Sequence, residues 1–98
     1  MKRNFNVVLK TFDGEEMKGN GGKTATGVSA VVDGLLADDR QLSGTDKLKR
    51  FSLAEKIYKA GDSEVELNTE ELNLIKEAVG TVFSAIVVGQ IFRIIEEG

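Results

Sequence analysis

The stretch from Leu72 to Ile95, LNLIKEAVGTVFSAIVVGQIFRII, is the densest apolar run in the chain and has to be buried somewhere. At 100° per residue, Leu72, Leu74, Ile75, Ala78, Val79, Val82 and Phe83 share one broad arc, with Asn73, Glu77 and Gly80 opposite. From Ala85 onward the apolar set is Val87, Val88, Ile91, Phe92, Ile94 and Ile95, whose arc is centred roughly 180° from the first by the same arithmetic. One rod with two apolar faces needs two partners or a break. Gly80, followed by β-branched Thr81 and Val82, lowers helix propensity where the faces exchange, which predicts a kink or a short turn between Gly80 and Ser84. A chain of this size has few other elements to cover both faces. Phe83, Ile86, Val87, Val88, Ile91, Phe92 and Ile95 are therefore the candidate interface for self-association or a partner.

The same run is a poor membrane span. Its uncharged part, Ala78 to Phe92, is 15 residues long, against the roughly 20 that a bilayer core requires. Arg93, Glu96 and Glu97 follow at once. Ala85 and Gly89 have a small-xxx-small spacing, but soluble helix packing explains that pair equally well.

With 98 residues the expected organisation is a single domain with one modest core. Hydrophobic content of 41% and charged content of 30% place it among ordinary globular chains rather than disordered ones. The absence of cysteine removes disulfides, thiolate nucleophiles and thiolate metal sites together. The absence of histidine removes the commonest general base and transition-metal ligand. No enzyme activity and no cofactor are expected. A net charge of −3 argues against a surface that attracts nucleic acid as a whole. The opening MKRNFNVVLK lacks the apolar core of a signal peptide, so the expected location is the cytoplasm.

Phe5 to Phe12 is rich in β-branched and aromatic residues and predicts a strand over 4–11, with Asp13-Gly14 as a hairpin turn and Glu15 to Lys18 pairing back. GNGGKTATG follows, and invites comparison with phosphate-binding loops. The pattern G-x-x-x-x-G-K-[ST] ending at Gly22-Lys23-Thr24 needs a glycine where Met17 stands. A G-x-G-x-x-G pattern from Gly19 fails at Thr24. The segment reads better as a surface loop leading to a helix capped by Thr24 or Thr26. Anion binding by Gly19 to Gly27 stays open.

Val28, Val31, Val32, Leu35 and Leu36 recur at helical spacing and predict a helix over 26–38, weakened by roughly 1 kcal/mol at Gly34. Adjacent Asp38 and Asp39 do not face one another and suit a solvated helix end better than an acid–base dyad. Thr45 is the expected N-cap of a helix through Ala60 that turns Leu48, Phe51, Ala54, Ile57 and Tyr58 inward. Lys49, Ser52, Lys56 and Lys59 form the opposite stripe, flanked by Lys47 and Arg50. The five basic residues, Lys47, Lys49, Arg50, Lys56 and Lys59, are the candidate contact for an anion or nucleic acid; a solvated face with Glu55 for local pairing is the plainer account.

Glu64 to Leu67 alternates like a short half-buried strand, able to pair with 4–11. The carboxylates from Asp62 to Glu71 do not form a calcium loop, because Leu67 stands where the turn glycine belongs and Asn73 where the terminal glutamate belongs. Asn68 or Thr69, with Glu70 and Glu71 behind it, starts the last helical region. A helix-turn-helix over 72–92 would put apolar FSAIVVGQIFR against base edges that need polar donors.

Read in order, LSGTDKLKRFSLAEKIYK, VELNTEELNLIKEAVG and VVGQIFRIIEE resemble a group of small uncharacterised proteins encoded in tailed-phage genomes, over most of residues 26–97. The resemblance is weakest at GNGGKTATG. The resemblance implies a setting, the cytoplasm of an infected bacterium, and a class, small phage proteins that act by binding. It carries over no catalytic residue.

The expectation is therefore an α+β domain, mainly α: an N-terminal strand or hairpin and glycine-rich loop over 1–25, then a bundle of three to four helices over 26–97 with one short strand near 64–67. Its expected function is that of a non-enzymatic interaction protein, a homo-oligomer acting in phage assembly or by binding and inhibiting a host protein. The alternatives are a nucleotide-binding or nucleotide-sequestering protein, or a nucleic-acid accessory protein using the basic stripe. Neither nucleic acid nor membrane is an expected partner.

Overall fold

Where three of the helices begin follows from side chains that satisfy orphan backbone amides. The computed structural model describes residues 1–97, and among them four helices: α1 Gly27–Leu36, α2 Gly44–Ala60, α3 Thr69–Val82 and α4 Ala85–Glu97. Thr26 caps α1 reciprocally: the Ser29 amide donates to the Thr26 hydroxyl at 3.1 Å, and the Thr26 amide to the Ser29 hydroxyl at 2.9 Å. Asn68 and Glu71 make the same exchange at α3, at 2.8 and 3.0 Å. At α2 the cap is Ser43, whose hydroxyl accepts from the Asp46 amide at 3.1 Å. Thr45, the expected cap, lies inside the first turn because Gly44 is already helical. Gly61, at φ +57°, ends α2 by donating to the carbonyls of Ile57 and Tyr58.

The last helical region is broken, as its two faces require. Gly80 stays inside α3, and the break comes at Phe83, in extended conformation, and Ser84. The Ser84 carbonyl accepts from the amides of Val87 and Val88, which starts α4. The result is a full turn, not a kink.

The fold is α+β and mainly α. A two-stranded antiparallel sheet joins β1 Lys2–Arg3 to β2 Val65–Glu66, in register Lys2 with Glu66 and Arg3 with Val65. Residues 4–11, expected as one strand, are instead extended chain with isolated bridges at Val8 and Lys10. The physical reason is visible in their partners. Leu9 donates its amide to the Ala25 carbonyl at 3.0 Å, Met17 to the Leu9 carbonyl at 2.9 Å and Ala25 to the Met17 carbonyl at 2.8 Å. Three segments, each set eight residues after the last, close into a triangular ring. Corner bonds repeat the pattern, Thr11 to Glu15, Gly19 to Lys23 and Gly27 to Val7. Two corners need left-handed backbone, which Gly14 supplies at the first and Gly21 and Gly22 at the second.

Leu9 drops from this ring into the core, where Phe5, Val31, Leu35, Leu53, Ile57, Leu67, Ile75, Val79 and Ile91 are also buried. Helix α1 is central and packs on α2, α3 and α4. Gly34, expected only as a weak point, faces α3: a Cβ there would sit 3.4 Å from a Val79 methyl.

Candidate interaction surface

The apolar residues of α4 turn inward. Val87, Ile91 and Ile95 are buried in the chain's own core, while Phe83, Ile86 and Val88 are half-buried and pack against it. Phe92 is half-buried too, with the Lys76 ammonium 5.3 Å from its ring centre. The surface expected over Phe83 to Ile95 is thus largely consumed within the monomer. The break at Phe83 and Ser84 lets α3 and α4 point much of their two faces at one core, leaving Val82 45% exposed.

The opposite correction applies to α2. Its buried face is Arg50, Leu53, Ala54 and Ile57, whereas Leu48, Phe51 and Tyr58, expected inside, are exposed. The helix is turned by about a quarter of a revolution from the expected orientation at 100° per residue. Phe51 is 54% exposed, Tyr58 71%, and Leu36 on α1 53%. With Val32, Ala54 and Glu55 they line a groove of about 320 Å³ between α1 and α2, whose walls are apolar except for Glu55. The sequence does contain a signal for this. Helix α2 carries two apolar sets, Leu48/Phe51/Tyr58 and Leu53/Ala54/Ile57, too far apart around the helix for one neighbour to cover both.

The basic stripe is dispersed by the same rotation. Arg50 is 6% exposed and reaches Glu77 on α3 at 3.4 Å, with no acceptor for its Nε. Lys56 is paired with Glu71 at 3.1 Å and Lys59 with Glu55 at 3.7 Å. Lys47 and Lys49 are exposed. A hollow beside Lys47 and Arg50 is also lined by Asp38 and Asp39, which oppose an anion there. The groove between α2 and α3, about 460 Å³, mixes Leu48, Leu53 and Leu74 with Lys49, Lys56, Glu70 and Glu71.

In the glycine-rich segment the amides of Gly19 and Gly22 are spent on the carbonyls of Lys23 and Gly19. The segment forms the second corner of the ring. The first corner presents a different chemistry. Phe12 is 98% exposed at its tip, and the turn beneath it is held by the Gly14 amide on the Thr11 carbonyl at 3.0 Å and the Thr11 amide on the Glu15 carbonyl at 2.8 Å. The Thr11 hydroxyl donates to the Asp13 carboxylate, and that bond, with a smaller backbone contribution, holds the Asp13 pKa below its ordinary value. Beside the turn, Gln90 of α4 grips the Lys10 backbone with both ends of its amide. Sequence reasoning passed over both Phe12 and Gln90, since an exposed aromatic and a polar helix residue look ordinary without their neighbours.

No helix among the described residues is long and apolar enough to cross a membrane. The described residues contain no group of three or more carboxylates arranged to hold a metal ion. No family model, curated protein or solved structure matches the chain.

Proposed function

We propose that this chain is a non-enzymatic interaction protein that associates with copies of itself through the α1–α2 groove, acting in phage assembly or by binding and disabling a host protein in the bacterial cytoplasm. The observation that carries this reading is the groove itself: Leu36, Phe51 and Tyr58 stand more than half exposed around an apolar hollow. Large contiguous apolar surface rimmed by charge is what contact sites bury, with aromatics supplying most of the contact energy. The phage setting is supported by the resemblance over residues 26–97. The self-associating surface moves from α4, where the sequence alone put it, to the outer side of α1 and α2, because α4 spends its apolar face on the core.

Light scattering over a wide concentration range tests the reading. A mass that rises above that of a single chain, and falls back in a Tyr58→Glu variant that keeps its helical circular dichroism, is the expected result. A single-chain mass at every concentration up to millimolar defeats self-association. Capture from infected cells then distinguishes a virion component from a host-directed factor.

A further inference from the structure

We infer that the hollow between the end of α1 and the first turns of α2 binds a small zwitterion, an amino acid with an apolar side chain. The hollow adjoins the contact groove, sharing Leu36 and Phe51 with it, but the inference does not depend on self-association.

Four charged residues line this hollow of about 320 Å³, and they are sorted by sign. Asp38 and Asp39 lie just past the end of α1, whereas Lys47 stands in the first turn of α2 and Arg50 in the next. No ion pair joins Asp38, Asp39 or Lys47 to any described residue. A simple anion is opposed by the two aspartates, and a simple cation by Lys47 and Arg50. A molecule that carries an ammonium and a carboxylate meets opposite charge at both ends. The volume is at the small end of ligand pockets, and Leu35, Leu42 and Phe51 supply an apolar wall for a side chain.

Arg50 distinguishes this hollow from ordinary surface charge. It is 6% exposed, yet among the described residues its guanidinium makes a single hydrogen bond, to Glu77 at 3.4 Å, and its Nε has no acceptor. A buried guanidinium with most of its five donors unspent has capacity for a carboxylate, the group whose planar geometry it matches best. The helix ends add to the same field. A helix carries partial negative charge at its C-terminus and partial positive charge at its N-terminus. Helix α1 has no basic residue in its last turn and two aspartates beyond it, while α2 follows Asp46 with Lys47. Asp46 apart, these charges reinforce the helix ends they stand on instead of offsetting them. A ligand ammonium beside Asp38 and Asp39, with its carboxylate beside Lys47 and Arg50, relieves both ends at once.

The test is an amide NMR titration of the full chain with leucine and with phenylalanine, set against N-acetyl-leucine, which keeps only the negative charge, and leucinamide, which keeps only the positive one. Leucine or phenylalanine is expected to shift amides between residues 35 and 51 with a Kd of about 1 mM, as suits so few atoms. Each single-charge derivative is expected to bind about tenfold more weakly or worse. Arg50→Met and Asp38→Asn/Asp39→Asn, each first shown by circular dichroism to be folded, should weaken binding of the amino acid by a similar factor; the aspartate variant, changed only at the loop, decides alone if Arg50→Met does not fold. Amides that stay unmoved up to about 50 mM of both amino acids overturn the proposal. A derivative that binds as tightly as leucine overturns the two-ended recognition, and a folded variant that binds like the parent overturns the placement of the site.

Discussion

Gln90 on α4 pairs with the backbone of Lys10 as a neighbouring strand would: the Lys10 amide donates to Gln90 Oε1 at 2.9 Å, and Gln90 Nε2 donates to the Lys10 carbonyl at 2.9 Å. Nε2 also reaches the Ile86 carbonyl one turn earlier, at 2.9 Å. One side chain thereby fastens the triangular ring to the helical bundle, two residues from the exposed Phe12.

Replacing that amide separates the clasp from simple packing. Gln90→Leu keeps the bulk but leaves both Lys10 groups to water, and is expected to cost about 1–2 kcal/mol, at the usual net value of such bonds. Gln90→Glu keeps the acceptor for the Lys10 amide and loses the donor, so its cost falls between. Urea denaturation gives the free energies. Hydrogen exchange at the Lys10 amide gives the location, and should quicken more than exchange in α3.

Two glycines in α1 are expected to answer oppositely to the same substitution. A Cβ on Gly27 would lie 2.2 Å from the Phe5 carbonyl oxygen, a backbone atom that cannot swing away. Gly27→Ala should therefore destabilise by about 1–3 kcal/mol or more, as overpacking does. At Gly34 the nearest atom to a new methyl is a Val79 methyl at 3.4 Å, an ordinary contact. Gly34→Ala should gain up to about 1 kcal/mol from helix propensity. Thermal unfolding of the two variants side by side decides the matter, and a Gly27→Ala protein as stable as the parent would refute the close approach.

Arg50 is the one buried charged residue among those described, and its partnership is poor. Its Nε has no acceptor, and its only carboxylate, Glu77 at 3.4 Å, is 67% exposed. A buried guanidinium so incompletely paired is worth little to stability. Arg50→Met, which keeps the packing, is expected to leave stability unchanged or raise it by about 1 kcal/mol. Glu77→Gln should change it by less than about 1 kcal/mol, as exposed pairs do. Chemical denaturation measures both.

The Asp13 carboxylate gives the Phe12 turn a pH dependence of known sign. Its pKa is lowered in the fold, first by the Thr11 hydroxyl. The stabilisation is therefore complete above the ordinary carboxylate value of 3.8 and is lost as pH falls through the lower folded value. Thr11→Val should raise the Asp13 pKa toward the ordinary value in an NMR titration and should loosen the turn near neutral pH. An unchanged Asp13 titration would show that the hydroxyl does not hold it.

Much of the architecture was legible residue by residue. The caps at Thr26 and at Asn68 with Glu71, the stop at Gly61, the reversal at Asp13-Gly14 and the break after α3 are all local matters. Each depends on hydrogen-bond donors or on backbone freedom within a few positions, and those are written in the chain. The α+β class and the short strand at Val65 follow from the same kind of information.

Three things were decided only by the tertiary structure. The triangular ring joins Leu9, Met17 and Ala25 through backbone groups, which carry no side-chain signature. Helix α2 offered two apolar sets of comparable strength, and only the assembled fold buries Leu53 and Ile57 and leaves Phe51 and Tyr58 exposed. Helix α4 could have shown its apolar face to a partner, and shows it to α1 and α3 because the break at Phe83 lets it fold back. Periodicity says that a face must be covered; which neighbour covers it depends on burial summed over residues far apart in sequence, and only the assembled chain performs that sum.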